Sequence, residues 1–355
     1  MHPAPQERAA ERKEKDMITR RLGRTGYEVT AFGLGCFQFT GEYDIDPDVS
    51  EKLMDYAMES PINVFDTAQM YGFGESEEIV ARGAYKHPDK KVYISTKIGY
   101  LHERTVTRAK GYEAYQDPKE IKRAVKHSLW ISRRDCLDMC MIHEPDWDCW
   151  GFDYETGDSV ILSTLEELKK KGYIANIGLG STEYTKSAKL IDTGRIDCAL
   201  VAGGISLIAR PIFDKLIPAA KRNDCGIIAG AGFGMGNKFL TAKRRDELPE
   251  LLESGDEVRV NTGKKLEKIY DLSDELGMDM FEMAVRYILA FDDIHTHCAG
   301  AREIAHIRTN LGYAEKGPLP ADVVEKINAI QDEFVIHQDY NMMGLFGKPP
   351  GFLSD

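Results

Sequence analysis

Four residues carry side chains suited to moving a proton at a carbonyl or alcohol oxygen: Asp66, Tyr71, Lys97 and His143. Each stands at or just beyond the end of a short apolar run. Asp66 closes INVFD at 62–66, with Tyr71 in the loop that follows; Lys97 closes VYISTK at 92–97 and His143 closes DMCMIH at 138–143. A tyrosine with its free pKa of about 10 is a poor acid–base group at neutral pH. A lysine ammonium beside it favours the phenolate and lowers that value. A buried lysine needs a counter-charge of its own, which Asp66 can supply, and His143 can hold the same oxygen or relay a proton. The set contains no serine or cysteine nucleophile paired with a base and no carboxylate cluster. His295 and His297 alternate on the last apolar run without a convincing third ligand, so no metal is expected. Proton transfer is the chemistry read here, with redox and redox-neutral versions both open.

These side chains meet only if their runs are neighbours in one sheet. Eight short apolar runs recur along the chain, at 31–35, 62–66, 92–97, 138–143, 175–179, 197–201, 226–230 and 294–298. Amphipathic stretches separate them, at 50–59, 76–85, 119–130, 159–171, 183–192, 211–222, 262–276 with a continuation to 289, and 301–312. That alternation predicts an α/β protein with a single-domain (β/α)8 TIM barrel. A doubly wound open sheet would more often open with a GxGxxG fingerprint, which is absent after the first strand. In a barrel built in chain order the second, third and fourth strands are adjacent, and their carboxyl ends share the face where sites form. Strand alternation puts His143 on the face of Met139 and Met141, with Cys140 and Ile142 toward the helices.

Residues 18–30 read as an N-terminal hairpin turning at Arg24-Thr25-Gly26. Residues 1–17 form a polar tail, 18–317 the barrel, and 318–355 a helix at 321–334 with an apolar tail that packs on the barrel or a partner chain. Long loops at 99–117, 144–158 and 230–261 leave the carboxyl ends of strands. The first two are rich in aromatic and charged residues, and Tyr100, Trp147 and Trp150 are the residues expected to wall an organic substrate.

Composition narrows the remaining classes. Of 355 residues 43% are apolar and 29% charged, which excludes a mostly disordered chain. Forty-six basic residues against 58 acidic ones give a net charge of −12, which argues against nucleic acid as partner. No apolar run approaches the roughly 18 residues of a membrane span, and the first residues lack a signal-peptide core, so a cytoplasmic protein is expected. Seven cysteines without a Cys-x-x-Cys pair read as ordinary thiols. A homo-oligomer is left open, with the aromatic tail as the place for a contact.

The motifs taken together resemble the aldo-keto reductase family. RLGRTGYEVTAFGLG at 21–35, NVFDTAQMYGFGESEEIVARG at 63–83, STK at 95–97, DMCMIHEPD at 138–146 and KKGYIANIGLGS at 170–181 carry the likeness. Residues 196–236 are similar to the aldose and L-galactose dehydrogenase branch. The resemblance implies a (β/α)8 barrel, NADP or NAD as cofactor, Tyr71 as general acid/base, Lys97 and Asp66 tuning it, and His143 orienting the oxygen. It implies a sugar-like substrate, with an aromatic carbonyl or alcohol as the larger option. Gly180, Ser181 and Gly230 occupy positions that hold the nicotinamide in that family, and Leu200 replaces a glutamine. These replacements leave room in the pocket and favour, as the alternative, a redox-neutral lyase or epimerase with no cofactor or a tightly held nucleotide. CAGAREIAHIRTN at 298–310 resembles the adenosine end, through Gly300, Arg302 and Asn310, and the basic stretch containing Lys238, Lys243, Arg244 and Arg245 is placed to cover the pyrophosphate.

Overall fold

Period-two alternation along the strands divides the apolar residues into two sets, and the structure packs them separately. The computed structural model describes residues 17–40, 45–99, 111–233 and 245–334. A hairpin of β1 (Thr19–Arg21) and β2 (Glu28–Thr30) precedes eight parallel strands: β3 (Phe32–Gly35), β4 (Val64–Asp66), β5 (Tyr93–Ile98), β6 (Leu137–His143), β7 (Ile174–Ser181), β8 (Cys198–Ala202), β9 (Gly226–Gly230) and β10 (Thr296–Gly300). They close into a barrel in chain order, with β10 pairing both β9 and β3. The inward set joins Val64, Tyr93, Met139, Met141, Leu200, Ile228 and Cys298 in one cluster, while Cys140 and Ile142 join the larger cluster between barrel and helices.

The hairpin closes the amino end of this barrel. Leu22 and Val29 are fully buried in the inner cluster, and the Tyr27 ring stacks on Tyr93 at 4.2 Å. With that end stoppered by apolar side chains, the polar residues at the opposite strand ends are left to form the site.

The helical layer comprises α1 (Pro47–Glu59), α2 (Glu75–Lys86), α3 (Pro118–Ser132), α4 (Val160–Lys170), α5 (Thr185–Asp192), α6 (Leu216–Asn223), α7 (Leu248–Leu252), α8 (Glu257–Leu276), α9 (Met280–Leu289), α10 (Ile304–Glu315) and α11 (Ala321–Glu333). Several begin earlier than apolar periodicity predicts, because capping chemistry sets the start. The Asp46 and Asp117 carboxylates accept N–H groups of the first turns of α1 and α3, and a proline follows each at the first helical position. Asp256 caps α8, which begins five residues before the expected Thr262 and shortens the long loop after β9. A 3-10 turn at Pro211–Phe213 precedes α6 where one helix was expected. The last strand begins at Thr296, not at residue 294. Gln331 of α11 donates to the carbonyls of Ser206 and Leu207 at 3.0 Å, which docks the C-terminal helix on the barrel. Met17, placed by sequence in the polar tail, is buried in the core; the aromatic residues after 334 lie outside the described residues. Among the described residues no helix is long and apolar enough to cross a membrane.

Candidate active site

Strand register brings three of the four proton-handling residues together before any loop is considered. Asp66 is the last residue of β4 and pairs with Ser95 of β5; Lys97 of β5 pairs with Met141 of β6; His143 ends β6 opposite Gly180 of β7. Tyr71 arrives from the loop between β4 and α2. Three successive left-handed residues, Gly72, Phe73 and Gly74, turn the chain sharply after it. A side chain at Gly72 would come within 2.6 Å of Thr40 Cγ2, so glycine is required both for the backbone angle and for space. Gln69 anchors the same loop by donating to the Ala124 carbonyl at 2.7 Å and to Ser128 Oγ at 2.9 Å on α3.

Lys97 is the centre of the constellation and is 1% exposed. Its ammonium lies 2.8 and 2.7 Å from the two Asp66 carboxylate oxygens, 2.8 Å from the Thr67 carbonyl and 3.1 Å from the Tyr71 hydroxyl. Ser95 Oγ donates to Asp66 Oδ1 at 2.9 Å, which fixes the carboxylate. The Tyr71 ring is held by Phe37 at 4.8 Å between centroids, and His143 stands edge-on to it at 6.0 Å. Trp150 donates from its indole N–H to the His143 carbonyl at 3.1 Å. A Cβ at Gly99 would sit 2.6 Å from Cβ of His143, so the chain after β5 has to be bare for the imidazole to reach the rim.

Burial sets the protonation states. It pulls the Lys97 ammonium down, but the interactions with Asp66 and Tyr71, the Asp66 carboxylate foremost, outweigh it and hold the ammonium above its ordinary value. Burial pushes the Tyr71 phenol up to about 12, against the downward pull of Lys97 and with Asp66 adding to the rise. The expectation of a lowered tyrosine is therefore corrected: Lys97 acts in the expected direction, but loss of solvent is the larger effect. Burial, then the neighbouring Lys97 charge, hold His143 far below its usual range, so the imidazole is neutral. A neutral phenol, backed by an ammonium and flanked by a neutral imidazole, can donate a hydrogen bond or a proton to an oxygen placed between them.

The residues expected around this centre divide into several groups. Gly180 does not leave an open space, because the stem of Lys97 fills it; a Cβ there would meet Lys97 Cδ at 2.9 Å. Ser181 Oγ is buried and occupied, donating to the Glu183 carbonyl at 2.6 Å and accepting from the Glu183 N–H and Ser187 Oγ. Gly230 faces Leu200, whose Cδ2 would be 3.1 Å from an added Cβ. Trp150 is fully buried against Tyr115 and supports His143 from behind, so it is not an open aromatic wall. Trp147 is half-buried in the turn after His143. Tyr100 and Lys238 lie outside the described residues, as do Lys243 and Arg244, while Arg245 is committed to Asp274 at 2.8 Å.

Gly300 and Arg302 are exposed at the end of β10, and Asn310 is buried in α10. Glu303 stands at the start of α10 without a side-chain cap; the His306 N–H returns to the Glu303 carbonyl at 3.0 Å, and the first-turn amides of Ile304 and Ala305 before it suit an anion such as a dinucleotide phosphate. The residues here fit the adenosine and phosphate end of a nicotinamide dinucleotide.

Glu144, the residue after His143 in the histidine motif, is a member of the site that strand alternation does not single out. It is buried, with φ of 48°, and its Oε2 accepts from the N–H and hydroxyl of Thr182 at 3.1 and 2.9 Å. Burial and then Asp146 raise its carboxyl to about 7, against the hydrogen bonds from Thr182. An acid directly after a strand-end histidine was the available signal.

A model of the aldo/keto reductase family matches residues 31–332. Pyridoxal 4-dehydrogenase of Microbacterium luteolum is 25% identical over 84% of this chain and 93% of its own length. D-threo-aldose 1-dehydrogenase of a Pseudomonas species is 22% identical over 81% of this chain and 90% of its own. Among solved structures, an aldo-keto reductase of Bacillus halodurans in its holo form superposes with a TM-score of 0.71 at 22% identity, covering 91% of this chain and 99% of that one.

Proposed function

The chain belongs to the aldo/keto reductase family, and from that premise we propose that it is an NAD(P)-dependent oxidoreductase interconverting a carbonyl and an alcohol, or a lactol and a lactone, on a sugar-like substrate. The observation that carries the reading is the 3.1 Å contact between the Tyr71 hydroxyl and a Lys97 ammonium held by both oxygens of Asp66. Gly230, Gly300, Arg302 and Asn310 are the described residues we assign to holding the dinucleotide, with Gly180 and Ser181 offering backbone alone because Lys97 fills the one position and Glu183 occupies the Ser181 hydroxyl; Lys238 is assigned with them from sequence alone. A bound nicotinamide supplies or accepts the hydride.

The protein's own residues handle the oxygen. In reduction, Tyr71 donates its proton to the carbonyl oxygen as charge develops there, and Lys97 stabilises the phenolate that remains. Asp66 keeps Lys97 charged and in place. His143, neutral, fixes the oxygen in line with the phenol. A phenol held as high as about 12 is protonated at neutral pH, the form that can donate to a carbonyl oxygen.

The aldose and L-galactose dehydrogenase branch remains our finer reading, supported by the likeness to D-threo-aldose 1-dehydrogenase. The likeness to pyridoxal 4-dehydrogenase supports an aromatic aldehyde or its hemiacetal as the second substrate class. The test is turnover of NADPH or NADH absorbance with aldoses and with aromatic aldehydes. Turnover of a carbonyl without change in the nicotinamide would replace this reading with redox-neutral proton transfer at Tyr71.

A further inference from the structure

Directly beyond His143 the chain adopts a conformation that side-chain-bearing residues rarely take. Glu144 has φ of 48° and opens the turn that Pro145, Asp146 and Trp147 complete, with the Trp147 N–H returning to the Glu144 carbonyl at 3.2 Å. Two other left-handed residues, Arg133 and Asp224, sit at the C-caps of α3 and α6, where such angles are ordinary. Glu144 has no helix end to explain its angle, and strained residues of this kind persist where the surroundings over-determine them.

The surroundings do so here. The Glu144 N–H donates to the Gly180 carbonyl at 2.7 Å, and Thr182 donates twice to Oε2, so the residue is tied to β7 and its loop at both backbone and side chain. All of the hydrogen bonds to the carboxyl go to Oε2; among the described residues Oε1 receives none. The side chain is nevertheless 93% removed from solvent, being 7% exposed. It lies within electrostatic reach of the reacting groups, since its charge raises the Tyr71 phenol and the Lys97 ammonium acts back on it. Lys97 itself is committed to Asp66 and does not neutralise Glu144. Oε1 is not among the fully buried unpartnered oxygens, so within an otherwise buried side chain it is the one acceptor still reachable by a ligand donor.

We propose that Glu144 is a specificity-determining residue whose Oε1 accepts a hydrogen bond from a hydroxyl group one or two carbons from the reacting carbonyl, so that the site selects hydroxylated aldehydes over plain ones. The inference rests on the carbonyl-reducing reading given above and adds a substrate class to it. Its geometry is a two-point grip: Tyr71 and His143 hold the carbonyl oxygen, and the carboxyl fixed by Thr182 holds the neighbouring hydroxyl. Asp146 in the same turn adds a second acidic group beside it, which opposes a carboxylate-bearing substrate at the same place.

Glyceraldehyde and propanal have the same carbon count and differ in their hydroxyls, so the ratio of their kcat/KM values reads the grip directly. The ratio, glyceraldehyde over propanal, is measured for the full chain and for Glu144→Gln with the nicotinamide cofactor that the wild type uses. The expected result is a ratio that falls about tenfold or more in the variant. A ratio unchanged within about twofold overturns the proposal, because a residue that only supports the loop affects both aldehydes alike. Thr182→Val leaves Glu144 in place but removes one donor that aims it, and gives a second reading should Glu144→Gln fail to fold. A fall of about threefold or more in that variant supports the grip, and no fall overturns it. Wild-type turnover of either aldehyde separates the two levels of the argument. If the wild type oxidises no NADPH or NADH with either one, the carbonyl-reducing reading fails and this inference with it. If the wild type turns over and only the ratio stays fixed, the inference alone fails.

Discussion

The Cβ that Gly180 lacks would lie 2.9 Å from Cδ of Lys97, closer than such atoms approach in proteins. The bare backbone at the end of β7 is thus the channel through which the lysine stem reaches the Tyr71 hydroxyl. Gly180→Ala should push the stem aside and weaken the contact with Tyr71. We expect kcat to fall by about tenfold or more, as displacements of about 1 Å in catalytic groups commonly cost that much or more. Thermal unfolding distinguishes this from a general loss of structure. A variant with unaltered kcat would show that Lys97 is not positioned through this gap.

Tyr71→Phe keeps the ring against Phe37 and removes only the proton. Turnover should fall by about 10²-fold or more, the usual contribution of a positioned acid. The circular dichroism spectrum and melting temperature should stay near those of the wild type. Near-normal turnover in this variant would remove Tyr71 from the mechanism.

Lys97→Met removes the one neighbouring group named here that pulls the phenol down. The pKa of Tyr71 should rise further. In the reductive direction the protonated phenol is the active form, so the alkaline limb of the pH–rate profile should move to higher pH while the maximum rate drops. The substitution also leaves Asp66 buried without its partner, and breaking such a pair typically costs about 3–5 kcal/mol of stability. A lower melting temperature should accompany the kinetic change. A pH profile with an unmoved alkaline limb would contradict the electrostatic role.

Glu144 supplies a stability test with an unusual sign. Its folded pKa of about 7 lies above that of a free glutamate, about 4.3. Between those values the folded state binds the extra proton, so this residue's contribution to stability falls as pH rises from the lower value to the upper one. Glu144→Gln cannot ionise. The melting temperature of the variant relative to wild type should therefore increase between pH 5 and pH 8, measured by calorimetry across that range. A difference independent of pH would mean the carboxyl is not held in its neutral form.

The architecture was legible because period-two runs and amphipathic stretches alternate with few interruptions, and Asp66, Lys97 and His143 close three consecutive runs. The alternation that puts Met139 and Met141 inside the barrel also put His143 at its mouth. Helix starts were less legible, since Asp46-Pro47 and Asp117-Pro118 set them by capping chemistry ahead of the first apolar positions. Protonation states were not legible at all. Sequence shows that a lysine stands near a tyrosine, but the extent of desolvation is a property of the packed site, and at Tyr71 it reversed the expected shift. Trp150 misled in the same way: a tryptophan in a loop at the carboxyl face reads as a substrate wall until its indole is found on the His143 carbonyl. Gly180 read as missing contacts because the Lys97 stem that occupies its place comes from another strand.

Whether this proton-donating set serves a reaction with a nicotinamide dinucleotide is decided by whether the protein binds one. It is tested most directly by titrating the purified full chain with NADPH and with NADH, following nicotinamide fluorescence and protein quenching, with mass spectrometry of any nucleotide released on denaturation. The expected result is saturable binding of at least one of the two at micromolar concentration, or its release from the protein as purified. No binding of either, together with no nucleotide released, would contradict it and leave redox-neutral proton transfer at Tyr71 as the chemistry to pursue.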